Sequence, residues 1–476
     1  RVQSTGGCAM SMVRFVRPLV ALIAWLPSLA AAQEAQGMRL EAATGDIGIE
    51  IDGVVLGRWQ FNPNNYPRDL PLPVERDAPT TICFIDRANR TCADFIPGQS
   101  RPLAIAFNEA EFTTVIRAQR DVPPAQFDAA YQAAYRGRTV VEVPEVYELV
   151  NIAIAITPSG QGDPDMVYQD SSYFQAVQSY FAAHADHPLI QRVEAMLREN
   201  RSNYFSFKMN GYAFVFDAQG QIVRSPVYDR TGFAGSLENP VLPLLADLQD
   251  FARVSGFRDF YREHQALYAQ QIAFFEEEAQ VSRISSWLTQ SFPSVHPYDG
   301  VKIIFSPLVA YNQSMTTIEA DGYRELQPHV NYPYSANTRL SPAGAAIQRS
   351  AILFTEMNHG FSDPTAEQYS DRLSAALANR AAWADDASAA GNYAGAVSLF
   401  NEYMNWALVS LYYRDLMNAE DFAVAHAAMV DNMQNGRGFR RFAAFDAELL
   451  RLYAAREPGQ TLEDLYPAML DWVEAQ

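Results

Sequence analysis

The chain has 476 residues, 49% hydrophobic and 12% aromatic, with three cysteines and a formal net charge of −19. Such acidity excludes a surface built for nucleic acid or for anionic membrane, both of which are polyanions. At roughly 150 residues per domain, this length and apolar content are enough for two or three buried cores.

Residues Arg1 to Ala9 precede the first methionines, Met10 and Met12, and are set aside as upstream sequence. From Met12 the chain reads as an export leader: Arg14 and Arg17 form a positive start, Pro18 to Leu29 an apolar stretch, and Ala30 to Ala32 the small residues a signal peptidase accepts. Residues 1–32 are therefore expected to be upstream sequence and signal peptide, cut near Ala32, with the mature protein periplasmic or secreted. The apolar stretch is shorter than the roughly 20 residues needed to span a bilayer. No cysteine follows it and no later tract is long and apolar, so no membrane insertion is expected after cleavage. Loss of Arg1, Arg14 and Arg17 takes the charge to about −22.

Residues 33–122 are expected to form a small antiparallel β-domain. The run GDIGIEIDGVVLGRW alternates polar and apolar residues around the turn pair Asp52-Gly53, and TTICFID and PLAIAFNEAEFTTVIRA continue the alternation. Prolines 63, 67, 71, 73 and 79 exclude a long helix between them. Cys83 and Cys92 flank a turn and, in an oxidising compartment, predict a hairpin disulfide. Metal binding by the two thiols is the poorer alternative, because no histidine or further cysteine stands near.

From residue 123 to 476 the pattern becomes mainly helical with a short sheet, giving an α+β chain overall. Helices are expected after Pro123 and Pro144 and around Ser171–Ala183, Leu189–Asn200, Val241–Ser255 and Asp259–Glu278. YAFVFDAQGQIV reads as a hairpin and residues 301–320 as a strand pair. In the last third, Ser341-Pro342, Asp363-Pro364, Asn418 and Thr461 read as helix starts, and Gly360 and Gly436 as helix stops. The helix begun at Ser341 is thus expected to close at His359.

Seven histidines are few enough to weigh singly. Glu356 stands three residues before His359, on one helical face. Asn401-Glu402 follows on a later apolar helix, where a carboxylate must meet water, a charge, a metal or the hydrogens of Tyr403, Trp406 or Tyr413. His184 and His187, three residues apart, read as an exposed helix end, with metal binding the poorer alternative. Ser306 and Ser362 have no visible His–Asp companions and no G-x-S-x-G surrounds a serine. A zinc peptidase needs two histidines one helical turn apart, a glutamate between them as general base, and a third ligand from elsewhere. TEMNHGFSDP, beginning at Thr355, followed by NEYMNW at Asn401 presents these pieces in order, with Thr355 where the first histidine belongs.

On these residues, with PEVYELVNIA, YFAAHADHP, KIIFSPL and the closing TLEDLYPAML, the chain resembles a family of bacterial secreted proteins of unknown function that carry a gluzincin-like metallopeptidase motif. The likeness runs from about Val141 to the C-terminus, and the preceding β-segment is similar to the N-terminal domains of related secreted proteins. It implies a metallopeptidase-like domain over residues 123–476, a zinc cofactor held by His359 and Glu402, and Glu356 as general base acting on peptide or protein substrates. Thr355 is a poor ligand, its neutral hydroxyl binding zinc weakly. Either Glu356 joins the ligand set, leaving no evident base, or His329 swings in; Asn358 and Asn401 are accessory candidates. The edge near Lys302–Leu308 is expected to accept an extended peptide by strand addition. Two functions remain open: a zinc-dependent peptidase with an altered ligand set, or a catalytically inactive relative that binds peptide or protein.

Overall fold

The computed structural model describes residues 37–63, 66–74, 78–120, 123–231 and 239–476. The expected leader and its expected cleavage near Ala32 lie outside the described residues. The described chain divides into two compact units, residues 37–120 and residues 123–231 with 239–476.

The first unit holds eight strands: β1 (Met38–Glu41), β2 (Asp46–Ile51), β3 (Val54–Gln60), β4 (Asp69–Val74), β5 (Thr80–Asp86), β6 (Asn89–Phe95), β7 (Ser100–Phe107) and β8 (Ala110–Arg120). One sheet, ordered β3-β2-β5-β6, is antiparallel throughout. Its β2–β3 turn places Asp52 and Gly53 at φ 49° and 80°, the positive values a type I′ turn requires. Alternation turns Ile47, Ile49, Ile82 and Phe84 fully inward. Cys83 and Cys92 face each other across β5 and β6 and are joined by a disulfide. The second sheet, β1-β7-β8-β4, is antiparallel at its centre, but both outer strands run parallel to their neighbours, so this unit is not wholly antiparallel. Pro71 and Pro73 lie in β4, an edge strand, where a missing N–H costs least.

The second unit is built around the sheet β13-β14-β12-β9, with β9 (Thr139–Glu142), β12 (Gly300–Ser306), β13 (Ser314–Ala320) and β14 (Tyr323–Asn331). A separate hairpin joins β10 (Phe214–Phe216) to β11 (Ile222–Arg224). β9, β12 and β14 are parallel and β13 is antiparallel. The expected pairing of the strands within 301–320 does not occur, because β14 lies between them. Asp321 and Gly322, at φ 52° and 71°, make a tight hairpin of β13 and β14, while Asn312 ties the β12–β13 loop to the carbonyls of Asp165 and Met166. β12 is consequently an inner strand buried along its length, and the strand-addition edge expected near Lys302–Leu308 is occupied on both sides.

Helices cover this sheet. Glu145–Ala155 begins after Pro144 and buries ten residues. Caps follow the chemistry of short polar side chains: Ser341 accepts from Gly344 N and Asn418 from Asp421 N. Two helix boundaries differ from expectation. The helix opened by Ser341 ends at Arg349, and a new one, Ala351–Glu367, runs through His359, Gly360 and Pro364. Pro364 has no N–H for the carbonyl of Gly360, and the Tyr298 hydroxyl donates to that carbonyl instead at 2.8 Å, which lets the helix continue. Glycine at 360 makes this approach possible, since a Cβ there would lie 2.6 Å from Tyr298 Oη and 2.9 Å from Leu326 Cδ1.

Candidate functional site

The helix Ala351–Glu367 packs its apolar residues Leu353, Phe354, Met357 and Phe361 inward. Glu356, His359 and Asp363 recur at helical spacing and are half-buried, so they form one partly open face. Beside it Thr355, Asn358 and Ser362 are buried polar groups. The helix Ala396–Leu416 packs against this element and brings Asn401, Glu402 and Asn405, all buried.

These contacts join Glu356, His359, Glu402 and Asn358 in one neighbourhood. His359 Nδ1 meets Asp363 Oδ2 at 3.1 Å, and Asn405 lies 2.9 Å from Nε2. Asn405 also accepts from Asn358 Nδ2 at 2.9 Å, which ties the two helices together. Burial opposes a charge on the imidazole, but Asp363, Glu356 and Glu402 outweigh it and raise His359 to about 10. Asn405 presents its Nδ2 donor to Nε2, so the ring as placed accepts there and its Nε2 lone pair is already engaged.

Glu402 has two strong partners. Arg437 Nη2 donates to Oε1 at 2.7 Å and Trp406 Nε1 donates to the same oxygen at 2.9 Å. Burial works against this carboxylate, yet the guanidinium holds it below the ordinary range, with His359 assisting from 4.0 Å. Arg437 also donates to the Tyr393 hydroxyl at 3.2 Å and lies 5.3 Å from the centre of the Trp406 ring. Of the three aromatic partners weighed for Glu402, Trp406 serves; Tyr403 donates to the Trp383 carbonyl instead.

Glu356 has a different environment. Among the described residues its nearest side-chain hydrogen-bonding neighbour is Thr355 Oγ1, at 3.4 Å, whose hydrogen is directed to the Ile352 carbonyl. Burial raises its carboxyl to about 7, opposed by His359 and, more weakly, by Lys208. Lys208 is itself fully enclosed, donating to the carbonyl of Asn312 at 2.6 Å, and burial lowers it to about 7. Glu356 is thus the residue on this face whose proton moves near neutrality.

The remaining candidates are placed as follows. The Thr355 hydroxyl donates to the Ile352 carbonyl at 2.8 Å, turned back on its own helix. Asn401 is buried with its Oδ1 unpartnered. His329 is fully buried in β14, with its ring 5.7 Å from that of Tyr147. Leu326, three positions earlier and so on the other face of the strand, meets Gly360. His329 and the helix of His359 therefore lie on opposite faces of β14, and the structure does not bring His329 beside His359. Burial and nearby Lys208 lower His329 to about 3, keeping it neutral. His187 caps its own helix by accepting from Leu189 N.

Among the described residues, no group of three or more His, Cys, Asp or Glu side chains is placed to hold a metal ion. The donor set that stands in for a peptidase centre comprises an imidazole held at both nitrogens by Asp363 and Asn405, a carboxylate matched to Arg437, and a threonine hydroxyl spent on its own helix. These residues do not fit zinc, which needs deprotonated ligands free to coordinate. Sequence reasoning missed Asp363 and Arg437. Asp363, four residues after His359, was within helical reach but reads as a helix start beside Pro364. Arg437 lies 35 residues from Glu402, and no local signal connects them.

The chain matches no protein-family model, no curated protein and no solved structure.

Proposed function

We propose that this chain is an exported peptide- or protein-binding protein on a zinc-peptidase-like scaffold, its metal positions replaced by a fixed charge network. The observation that carries the reading is the Glu402–Arg437 pair: a ligand carboxylate kept for zinc has no use for a buried guanidinium at 2.7 Å. The edge strand β13 supports it further. Among the described residues it borders one strand in the sheet and lies against the helix Ala351–Glu367, so an extended peptide added there would lie near the helix that carries Glu356 and His359. The zinc-dependent peptidase with an altered ligand set is the rival reading, resting on the order of Glu356, His359 and Glu402.

Metal content measured on untagged mature protein separates the two, comparing wild type with His359→Ala and Glu402→Ala. The binding reading expects no stoichiometric zinc after zinc is supplied, no peptidase activity, and selection of peptides from a displayed library that chelator does not disturb and Met315→Lys abolishes. Near-stoichiometric zinc lost in both alanine variants, with peptide cleavage lost in Glu356→Gln, would overturn it.

A further inference from the structure

On the second unit, apart from the Glu356–His359–Glu402 group, the carboxyl ends of β12 and β14 and the helices beside them carry buried oxygen acceptors with nothing to accept. Glu148, in the first turn of the helix after β9, is fully buried. Its Oε1 accepts from the Tyr173 hydroxyl at 2.7 Å, and the Ser306 hydroxyl also bonds the carboxylate, while Oε2 has no partner. Ser306 ends β12 and stands opposite Asn331 at the end of β14, whose Oδ1 is likewise unpartnered.

The third acceptor comes from the covering helix Gln265–Ala273. Tyr268 bonds the Tyr173 hydroxyl at 2.6 Å, and one turn later Gln271, 2% exposed, points Nε2 at the Tyr334 hydroxyl and leaves Oε1 unpartnered. Tyr334 donates to the carbonyl of Pro307, next to Ser306, and stacks on Tyr168 with ring centres 4.3 Å apart. Both stacked rings are half-buried, so the aromatic side of the cluster reaches solvent. Open parallel sheets place ligands at this end of their strands.

The chemistry of the three groups selects the ligand. With Glu148 ionised all are oxygens short of a donor, and one is a carboxylate on which no cationic side chain acts among the described residues. Burial without a countercharge pushes Glu148 up to about 7. A water would bring two donors but also two lone pairs and no charge. An ammonium brings three donors, no lone pair and the missing positive charge. We infer that this cluster binds the primary ammonium group of a small ligand, with Glu148, Gln271 and Asn331 as acceptors and the Tyr168–Tyr334 stack against the ligand's carbon skeleton. The inference does not depend on the reading of the Glu402 site.

The test is isothermal titration of the full mature chain with ethanolammonium chloride, with sodium, potassium and calcium chlorides as controls. Saturable one-to-one binding of ethanolammonium alone is expected. Loss of one charge-assisted contact should weaken it on the order of 10- to 100-fold in Glu148→Gln. Gln271→Met, which leaves the carboxylate in place, should weaken it less, and circular dichroism must show both variants folded. Absence of saturable binding, equal binding by folded Glu148→Gln, or saturation by the metal cations instead would each overturn the inference; the first would mean the acceptors hold water only.

Discussion

Replacing Arg437 by Met tests the charge network most directly. Methionine keeps much of the volume beside Trp406 but removes the countercharge from Glu402, whose side chain is 4% exposed. Breaking one side of a buried pair costs about 3–5 kcal/mol, because the other charge stays buried alone. His359, 4.0 Å from Glu402, still offers partial compensation, so the lower figure, about 3 kcal/mol, is expected. With a urea dependence of about 3 kcal/mol/M for a unit this large, the unfolding midpoint should fall by about 1 M at pH 7. The pH dependence carries a sign. In the wild type Arg437 holds Glu402 below its unfolded value, so the pair's contribution is present above that value and lost as pH falls through the folded one. In the variant burial raises Glu402, and the defect should be largest at pH 7 and shrink toward pH 4 as the carboxylate takes a proton. The double variant Glu402→Gln/Arg437→Met should regain most of the loss. A midpoint shift below about 0.3 M at pH 7, or a loss equal at both pH values, would refute the assigned role of Arg437.

Tyr298→Phe strands the Gly360 carbonyl that Pro364 cannot serve and should cost about 1–2 kcal/mol by urea unfolding; a neutral result would mean the helix needs no outside donor there. Gly360→Ala forces a Cβ against Tyr298 and Leu326 and should destabilise by about 1–3 kcal/mol in the same assay. Because burial raises Glu148 to about 7, its stabilising contribution is full below its unfolded value and lost as pH rises through 7. Glu148→Gln should therefore gain on wild type between pH 5 and pH 8, with the neighbouring groups Tyr147, Tyr173, Tyr261, Tyr268 and Tyr334 staying neutral throughout; parallel stability profiles would contradict this. Replacing Cys83 and Cys92 together by Ala opens a loop of separation 9, and chain entropy sets the expected loss in the first unit at about 2–3 kcal/mol, read by thermal unfolding.

Local signals in the chain were sufficient wherever the physics is local. Alternation around Asp52-Gly53 specifies its hairpin, because the pair takes the positive φ values and the pleat sorts the side chains. The Cys83–Cys92 pairing follows from the same local geometry. Capping by Ser341 and Asn418 is likewise written in short-range chemistry, as is the change from β-rich to helical character past residue 122. Asp321-Gly322 was equally legible, and overlooking it mispaired β12 with β13. Pro364 misled for a different reason: its local meaning is a helix start, but a hydroxyl from Tyr298, 62 residues away, satisfies the carbonyl it abandons.

Tertiary structure alone decided the character of the site. Glu356, His359 and Glu402 do come together, since helical spacing and the packing of two helices bring them there. What they can do depends on groups that packing supplies: Arg437 against Glu402, Asn405 against His359, and Lys208 near Glu356. The charge state of a buried residue is set by whatever lies within a few ångströms, and the chain order of those neighbours carries no such information.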